Sequence, residues 1–340
     1  MLEILQDLYR AVTPPKGDYV PIDPSIIGAY NDTSYTLPDF SDFAKSLKTC
    51  YQLRLENIRL LYFTHVAELT RFEIRKLQKC VSRAHVLTRV HGVDTTHFEI
   101  YIAPHTGKRT FPNHGAIVKP KHINGAFTYV RNTIAPVSSP SPPPPTSTAT
   151  PQDPVRIYIF RQEEFPKVML HELCHHLPYH TPPTKWHPDI LGEFYRYFGI
   201  DATGCPNQCR VRLEPNEAIV EFWATIFHIM FLSIESKDLR RFPALLECEK
   251  QWSEKQAREL LERQRALPNG RWIEDTHSYA YIVLKNILLQ HADTFMASQQ
   301  PPYEPRVLLE FFTTHAKAPP PTKLPKTTSR SMRMTALGDL

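Results

Sequence analysis

Apolar positions along this chain change their period several times, and the changes mark out its segments. Residues 1 to 37 show little periodicity and many prolines, which predicts an irregular arm with a short helix at Leu2 to Val12. From about Ser41 to Ala84, Phe43, Leu47, Tyr51, Leu55 and Ile58 recur at helical spacing. Arg71, Arg75, Lys76 and Lys79 form a basic side there, read as solvated surface. Val86 to Val90, His97 to Ala103, Ala116 to Pro120 and Ala126 to Ile134 alternate or carry β-branched and aromatic residues between Gly, Asn and Pro, so strands are predicted. Pro136 to Pro154 is rich in Ser, Thr and Pro and predicts an extended loop. Val155 to Phe160 reads as another strand. Helical periods follow at His187 to Phe198, from Asn216 onward, at Ser236 to Leu267, at Ser278 to Ala297 and at Arg306 to Ala316.

Between the last strand and these helices lies His171-Glu172-Leu173-Cys174-His175-His176, set in the apolar run Val168-Met169-Leu170. It contains H-E-x-x-H. Residues four apart share one face of a helix, so His171 and His175 can aim two imidazoles at one metal ion. Glu172 sits one step round, beside the metal rather than on it. Zinc hydrolases need that arrangement: two nitrogen ligands and a carboxylate poised over a water. Two histidines and a glutamate on a buried helix need partners, and a metal satisfies them together.

The segment Asn216 to Leu232 predicts a core helix, apolar almost all round, with Pro215 near its first turn. Its polar residues are Glu217, Glu221, Thr225 and His228, at i, i+4, i+8 and i+11, which make a single stripe. Such a stripe implies something polar and buried opposite, and the H-E-x-x-H helix is the candidate.

H-E-x-x-H followed by a downstream helix bearing Asn-Glu-x-x-x-acid resembles the gluzincin metallopeptidases, of which thermolysin is the best known. The resemblance implies Glu217 as third zinc ligand, with Zn2+ as cofactor, and Glu221 as the carboxylate that holds His171. Ligating imidazoles do usually donate their other N–H to a carboxylate. The resemblance covers these two helices only, and the stretch from His175 to Glu217 is longer than in thermolysin. It implies an α+β, zincin-like fold: a mixed β-sheet, then the H-E-x-x-H helix, then a mainly helical C-terminal half. By the same resemblance, residues 126–134 are the candidate edge strand along the cleft and 155–160 the inner strand feeding the helix. The domain plan is then an irregular arm (1–40), a helix plus strand-rich upper part of the catalytic domain (41–135), a Pro/Ser/Thr-rich loop (136–154), a zinc-binding helical part (155–316) and a disordered basic tail (317–340).

Rival ligands exist. Glu193 lies nearer to the spacing of thermolysin-like enzymes, but it lacks the preceding Asn and the following acid. His176 permits an H-E-x-x-x-H reading but points well round the helix from His171. A metzincin needs Gly and then His where this chain has Pro178 and Thr181. A peptide deformylase needs an upstream Cys, and Cys50 and Cys80 fall in segments read as helical.

The chain has 340 residues, 11 glycines and 32 prolines, many of the latter in low-complexity stretches. That length allows one large domain or two smaller ones. The start of the sequence lacks the pattern of a signal peptide, and no run reads as long enough to span a bilayer, so a soluble, cytoplasmic or intracellular protein is expected. Six cysteines without a secretory signal do not read as a disulfide framework. Cys205 and Cys209 are one close pair, and Cys174 reads as a small core residue. The net charge of +5 owes much to Lys317, Lys323, Lys326, Arg330 and Arg333 in the tail. A basic tail can touch nucleic acid, acidic protein or anionic membrane; a solubilising terminus without a partner is the expectation.

The mechanism expected is hydrolysis of a polypeptide substrate, with Glu172 as general base toward a zinc-activated water. His277, Tyr279 and Tyr281 are candidate oxyanion donors, and His228 is a further option. Two other classes remain: a non-catalytic, zinc-stabilised structural or interaction protein, for example of a viral assembly, and a zinc amidase acting on a non-protein substrate. A purely structural site needs no base, so Glu172 speaks against the first. Oligomeric state is not legible.

Overall fold

The structure is a computed structural model; it describes residues 1–30, 37–113, 116–128, 153–182, 185–201, 213–267, 269–316 and 331–337. It is a mixed α/β fold around one six-stranded sheet. In chain order the elements are α1 (Leu2–Ala11), β1 (Gly17–Val20), α2 (Pro24–Ala29), α3 (Phe40–Ser46), β2 (Thr49–Leu55), β3 (Ile58–Thr64) and α4 (Arg71–Val90). Then come β4 (Phe98–His105), α5 (Pro120–Ile123), β5 (Ala126–Thr128), β6 (Val155–Arg161), α6 (Phe165–Cys174), α7 (Pro188–Phe198) and α8 (Pro215–Glu235). The chain continues with α9 (Arg241–Arg265), a π-helical turn (Ala280–Leu284), α10 (Lys285–Gln290), α11 (Ala292–Ser298) and α12 (Pro305–His315).

Strand order is β1-β2-β3-β4-β6-β5. The β3–β4 and β4–β6 pairs are parallel, and α4 makes the crossover between β3 and β4. The outer pairs β1–β2, β2–β3 and β5–β6 are antiparallel. Side chains alternate across a strand, and here the alternation sorts two cores. Phe98, Ile100, Ile102, Ile157 and Ile159 face the large core under α4, α6 and α8. Tyr101, Ala103, Tyr158 and Phe160 face a smaller aromatic cluster closed by Tyr30 and Phe40, from α2–α3 and their flank.

Several expectations need correction. The short helix expected at Leu2 to Val12 is α1, which buries Leu5, but the segment after it is not an irregular arm: β1 pairs with β2 as an edge of the sheet. The helix expected through Tyr51, Leu55 and Ile58 is the β2–β3 hairpin, so Cys50 is a strand residue. A spacing of four is also an even number, so it keeps Tyr51 and Leu55 on one face of a strand as well as of a helix. The turn, Glu56-Asn57, has no glycine to announce it, and Glu56 itself takes the positive φ of 48°. Val86 to Val90 is the last turn and a half of α4, not a strand. Thr70 and Glu73 form a reciprocal capping box that starts that helix. Ala116 to Pro120 contributes a single bridge, Val118 to Glu274.

Residues 331–337 of the tail are also structured, while Lys317, Lys323, Lys326 and Arg330 lie outside the described residues. Ser331 bridges to Thr110, and Met332, Met334 and Thr335 are buried. Finally, α8 is long and apolar enough to cross a membrane by length and composition, contrary to the reading that no run suffices, yet all of that apolar stretch is buried inside the protein. Residues 136–152 of the proline-rich stretch, residues 129–134 of the expected edge strand, and Cys205 with Cys209 lie outside the described residues. Cys174 is a fully buried core residue, as its setting implies.

Candidate metal centre

The motif helix follows β6 almost directly. Glu164 caps α6 in the left-handed region, φ 61°, where a residue other than glycine is uncommon. Its buried carboxylate holds that conformation by accepting from Arg109 Nη1 at 2.6 Å, Thr335 N at 2.9 Å and Met334 N at 3.0 Å. All ten residues of α6 are buried, and the helix packs against α8. His175 is the C-terminal cap of α6, still at right-handed helical angles, so the four-residue spacing from His171 survives the end of the helix.

The three expected ligands meet. His171 Nε2 lies 3.3 Å from His175 Nε2 and 3.3 Å from Glu217 Oε2, and His175 Nε2 lies 3.6 Å from that oxygen. Donors on a tetrahedral ion with bonds of about 2.0–2.2 Å stand about 3.3–3.6 Å apart. The triangle is therefore the right size for one such ion. Glu217 Oε2 is sealed from solvent and has no hydrogen-bond partner, as an atom reserved for a metal would. Burial pushes the pKa of His171 down, and that of His175 down to about 4, so both rings are neutral at pH 7 with a lone pair to offer.

The outer nitrogens are oriented too. Glu221 Oε2 accepts from His171 Nδ1 at 2.8 Å, which leaves Nε2 unprotonated toward the centre. The other Glu221 oxygen takes the Nζ of Lys167, one helical turn before His171 and almost wholly buried. His175 Nδ1 meets His180 Nδ1 at 3.1 Å. Asn216 fixes which of those two carries the proton. Its Oδ1 accepts from Thr181 N–H at 2.7 Å, so its Nδ2 donates to His180 Nδ1 at 2.9 Å. His180 Nδ1 is therefore an acceptor, His175 Nδ1 the donor, and His175 Nε2 faces inward unprotonated.

Lys167 and His180 escaped the sequence reading. Lys167 had a signal: it lies four residues before His171, on the same face of a helix otherwise apolar at that end. His180 lies beyond the helix, and no spacing announces it.

Glu172 is buried beside the triangle. Burial and the Glu217 charge raise its carboxyl well above the usual carboxylate range. With His171, Glu221, Tyr281, Lys167 and Met334 it lines a cavity of about 40 Å³, enough for a water. Of the oxyanion candidates, Tyr281 and His277 come to the site. The Tyr281 ring lies 5.5 Å from that of His171, and its phenol faces Glu217. Tyr281 belongs to the π-helical turn, a rare geometry often found at functional sites. Tyr279 does not belong: its ring packs against Phe198 and Trp272, and its hydroxyl donates to the Phe198 carbonyl at 3.4 Å. His228 lies three turns along α8 from Glu217, in a pocket with Arg83 and Lys76. The rival ligands are elsewhere. Glu193 is exposed and pairs with Arg306 at 2.6 Å, and His176 faces Thr128 of β5 at 2.9 Å.

Comparison with known proteins returned nothing to set beside this geometry: no family model matches the chain, and no curated protein or solved structure matches it.

Proposed function

We propose that this chain is a zinc-dependent hydrolase of zincin architecture, acting on peptide bonds. The observation that carries the reading is the convergence of His171 Nε2, His175 Nε2 and Glu217 Oε2 within 3.6 Å, with Glu172 beside them. Zinc held there would supply Lewis acidity and lower the pKa of a water. Glu172 accepts the proton of the attacking water and delivers it to the leaving amine. Tyr281 and His277 lie beside Glu217 and would be the donors to the developing oxyanion. Glu221, fixed by Lys167, and His180, fixed by Asn216, hold the two imidazoles in the tautomers that ligation requires. The edge strand β5 offers an extended substrate a backbone to pair with.

Metal analysis and a broad peptide library test this together. The wild type should carry zinc and cleave peptides, and His171→Ala or His175→Ala should remove most of the metal. Full zinc content in both variants would remove the site. Zinc without cleavage of any peptide would leave a structural metal domain or an amidase for other substrates.

The choice of third ligand has its own test, competition with a zinc-binding dye. Glu217→Ala should weaken zinc binding severely. Glu221→Ala should weaken it by about tenfold to a hundredfold, through His171 alone. Glu193→Ala should change little, because that side chain is exposed and paired with Arg306. Loss of zinc in Glu193→Ala with retention in Glu217→Ala reverses the assignment.

A further inference from the structure

Glu217 belongs to two sets of donors. Besides His171 and His175, its carboxylate stands with that of Glu214 and a ring nitrogen of His277, with all ligand atoms of this second set within 4.8 Å of one another. Glu214 is the residue just before α8 and Glu217 lies in its first turn, while His277 comes from the segment leading into the π-helical turn. His277 Nδ1 is closed off from solvent and has no hydrogen-bond partner. An unpaired buried polar atom costs about 1–3 kcal/mol.

We propose that Glu214, Glu217 and His277 form a second divalent-cation site, and that Glu217 bridges it to the first, making the centre dinuclear. This rests on the reading of His171, His175 and Glu217 as a metal site. Three donors spread around one ion with bonds of about 2.0–2.2 Å stand about 3.3–3.8 Å apart, so the second set, whose atoms lie within 4.8 Å of one another, has to draw in by up to about 1–1.5 Å as the ion binds. Two carboxylates and one imidazole make an oxygen-rich set that suits Mn2+ or Zn2+. In known two-metal hydrolases the ions stand about 3.5–4 Å apart and clamp the reacting oxygens from both sides. His277 is then a ligand, and Tyr281 is left as the oxyanion donor.

The test is a titration of metal-free full-length protein with Mn2+ and, separately, Zn2+, read by elemental analysis after gel filtration and by electron paramagnetic resonance of the Mn2+ samples. Two ions per chain are expected, with exchange coupling between the Mn2+ ions at two equivalents. His277→Ala and Glu214→Gln should each stop at one ion. The coupling in the wild type does not depend on either variant folding. One ion per chain in the wild type overturns the second site and leaves the first standing. No ion at all overturns both. Two ions retained in both variants overturns the assignment to these residues.

Discussion

Glu172→Gln should leave the chain folded and loaded with metal while slowing peptide hydrolysis by about 10²–10⁴-fold, the usual contribution of a positioned general base. That corresponds to about 2.7–5.5 kcal/mol of lost transition-state stabilisation. The amide keeps the shape of the carboxyl but has no basic oxygen with which to take a proton. It should cost the metal-free fold little. Burial and Glu217 already hold Glu172 toward its neutral form in the absence of a cation, so replacing it with a neutral amide removes no ion pair. The metal content should match the wild type, since the ligand atoms come from His171, His175 and Glu217. The variant thus separates a hydrolase from a structural metal domain, because only the hydrolase has a use for Glu172. Activity above about a tenth of wild type in a fully loaded Glu172→Gln sample would show that another group takes the proton.

The candidate ligand triangle was legible because helical spacing is rigid. A four-residue interval on α6, and Asn-Glu followed four residues later by an acid on α8, each fix a face. Burial of α6 along its whole length and the apolar character of α8 turn those faces toward each other. The sheet was less legible. Tyr51 and Leu55 satisfy both periods, and the turn between β2 and β3 is made by Glu56 at positive φ rather than by glycine. Nor does local pattern reach the contacts between distant segments. His180 finds His175 because Asn216, 36 positions later, holds it. Tyr279 and Tyr281 look equivalent in the sequence, yet one turns to Phe198 and the other to Glu217, because the π-helical turn sets their directions.

The C-terminal segment shows the largest gap between pattern and structure, and it carries the second large expected effect. Removing residues 331–340 should cost more than about 5 kcal/mol, a large part of the stability of an ordinary domain. Composition reads this stretch as part of a basic, disordered tail. In the structure residues 331–337 form a strap beside the candidate metal site. Its backbone amides at Met334 and Thr335 donate to the fully buried carboxylate of Glu164. The Met334 carbonyl accepts from the buried Lys285 ammonium at 2.8 Å. Glu249 accepts from the Thr335 hydroxyl and from the amides of Ala336 and Leu337. Truncation would strip partners from three buried charged groups at once, at about 1–3 kcal/mol or more for each. It would also expose the core that Met332 and Met334 cover, two side chains worth about 1.5–3 kcal/mol each. Glu164 would lose part of what holds its left-handed backbone, and with it the start of α6. Since Met334 also lines the cavity with His171 and Glu172, any truncated chain that still folded should bind metal more weakly. Thermal melting and metal content of the two lengths, measured side by side, are the readouts. A truncated protein that melts within about two degrees of the full chain and keeps its metal would show that the strap contributes nothing to the fold.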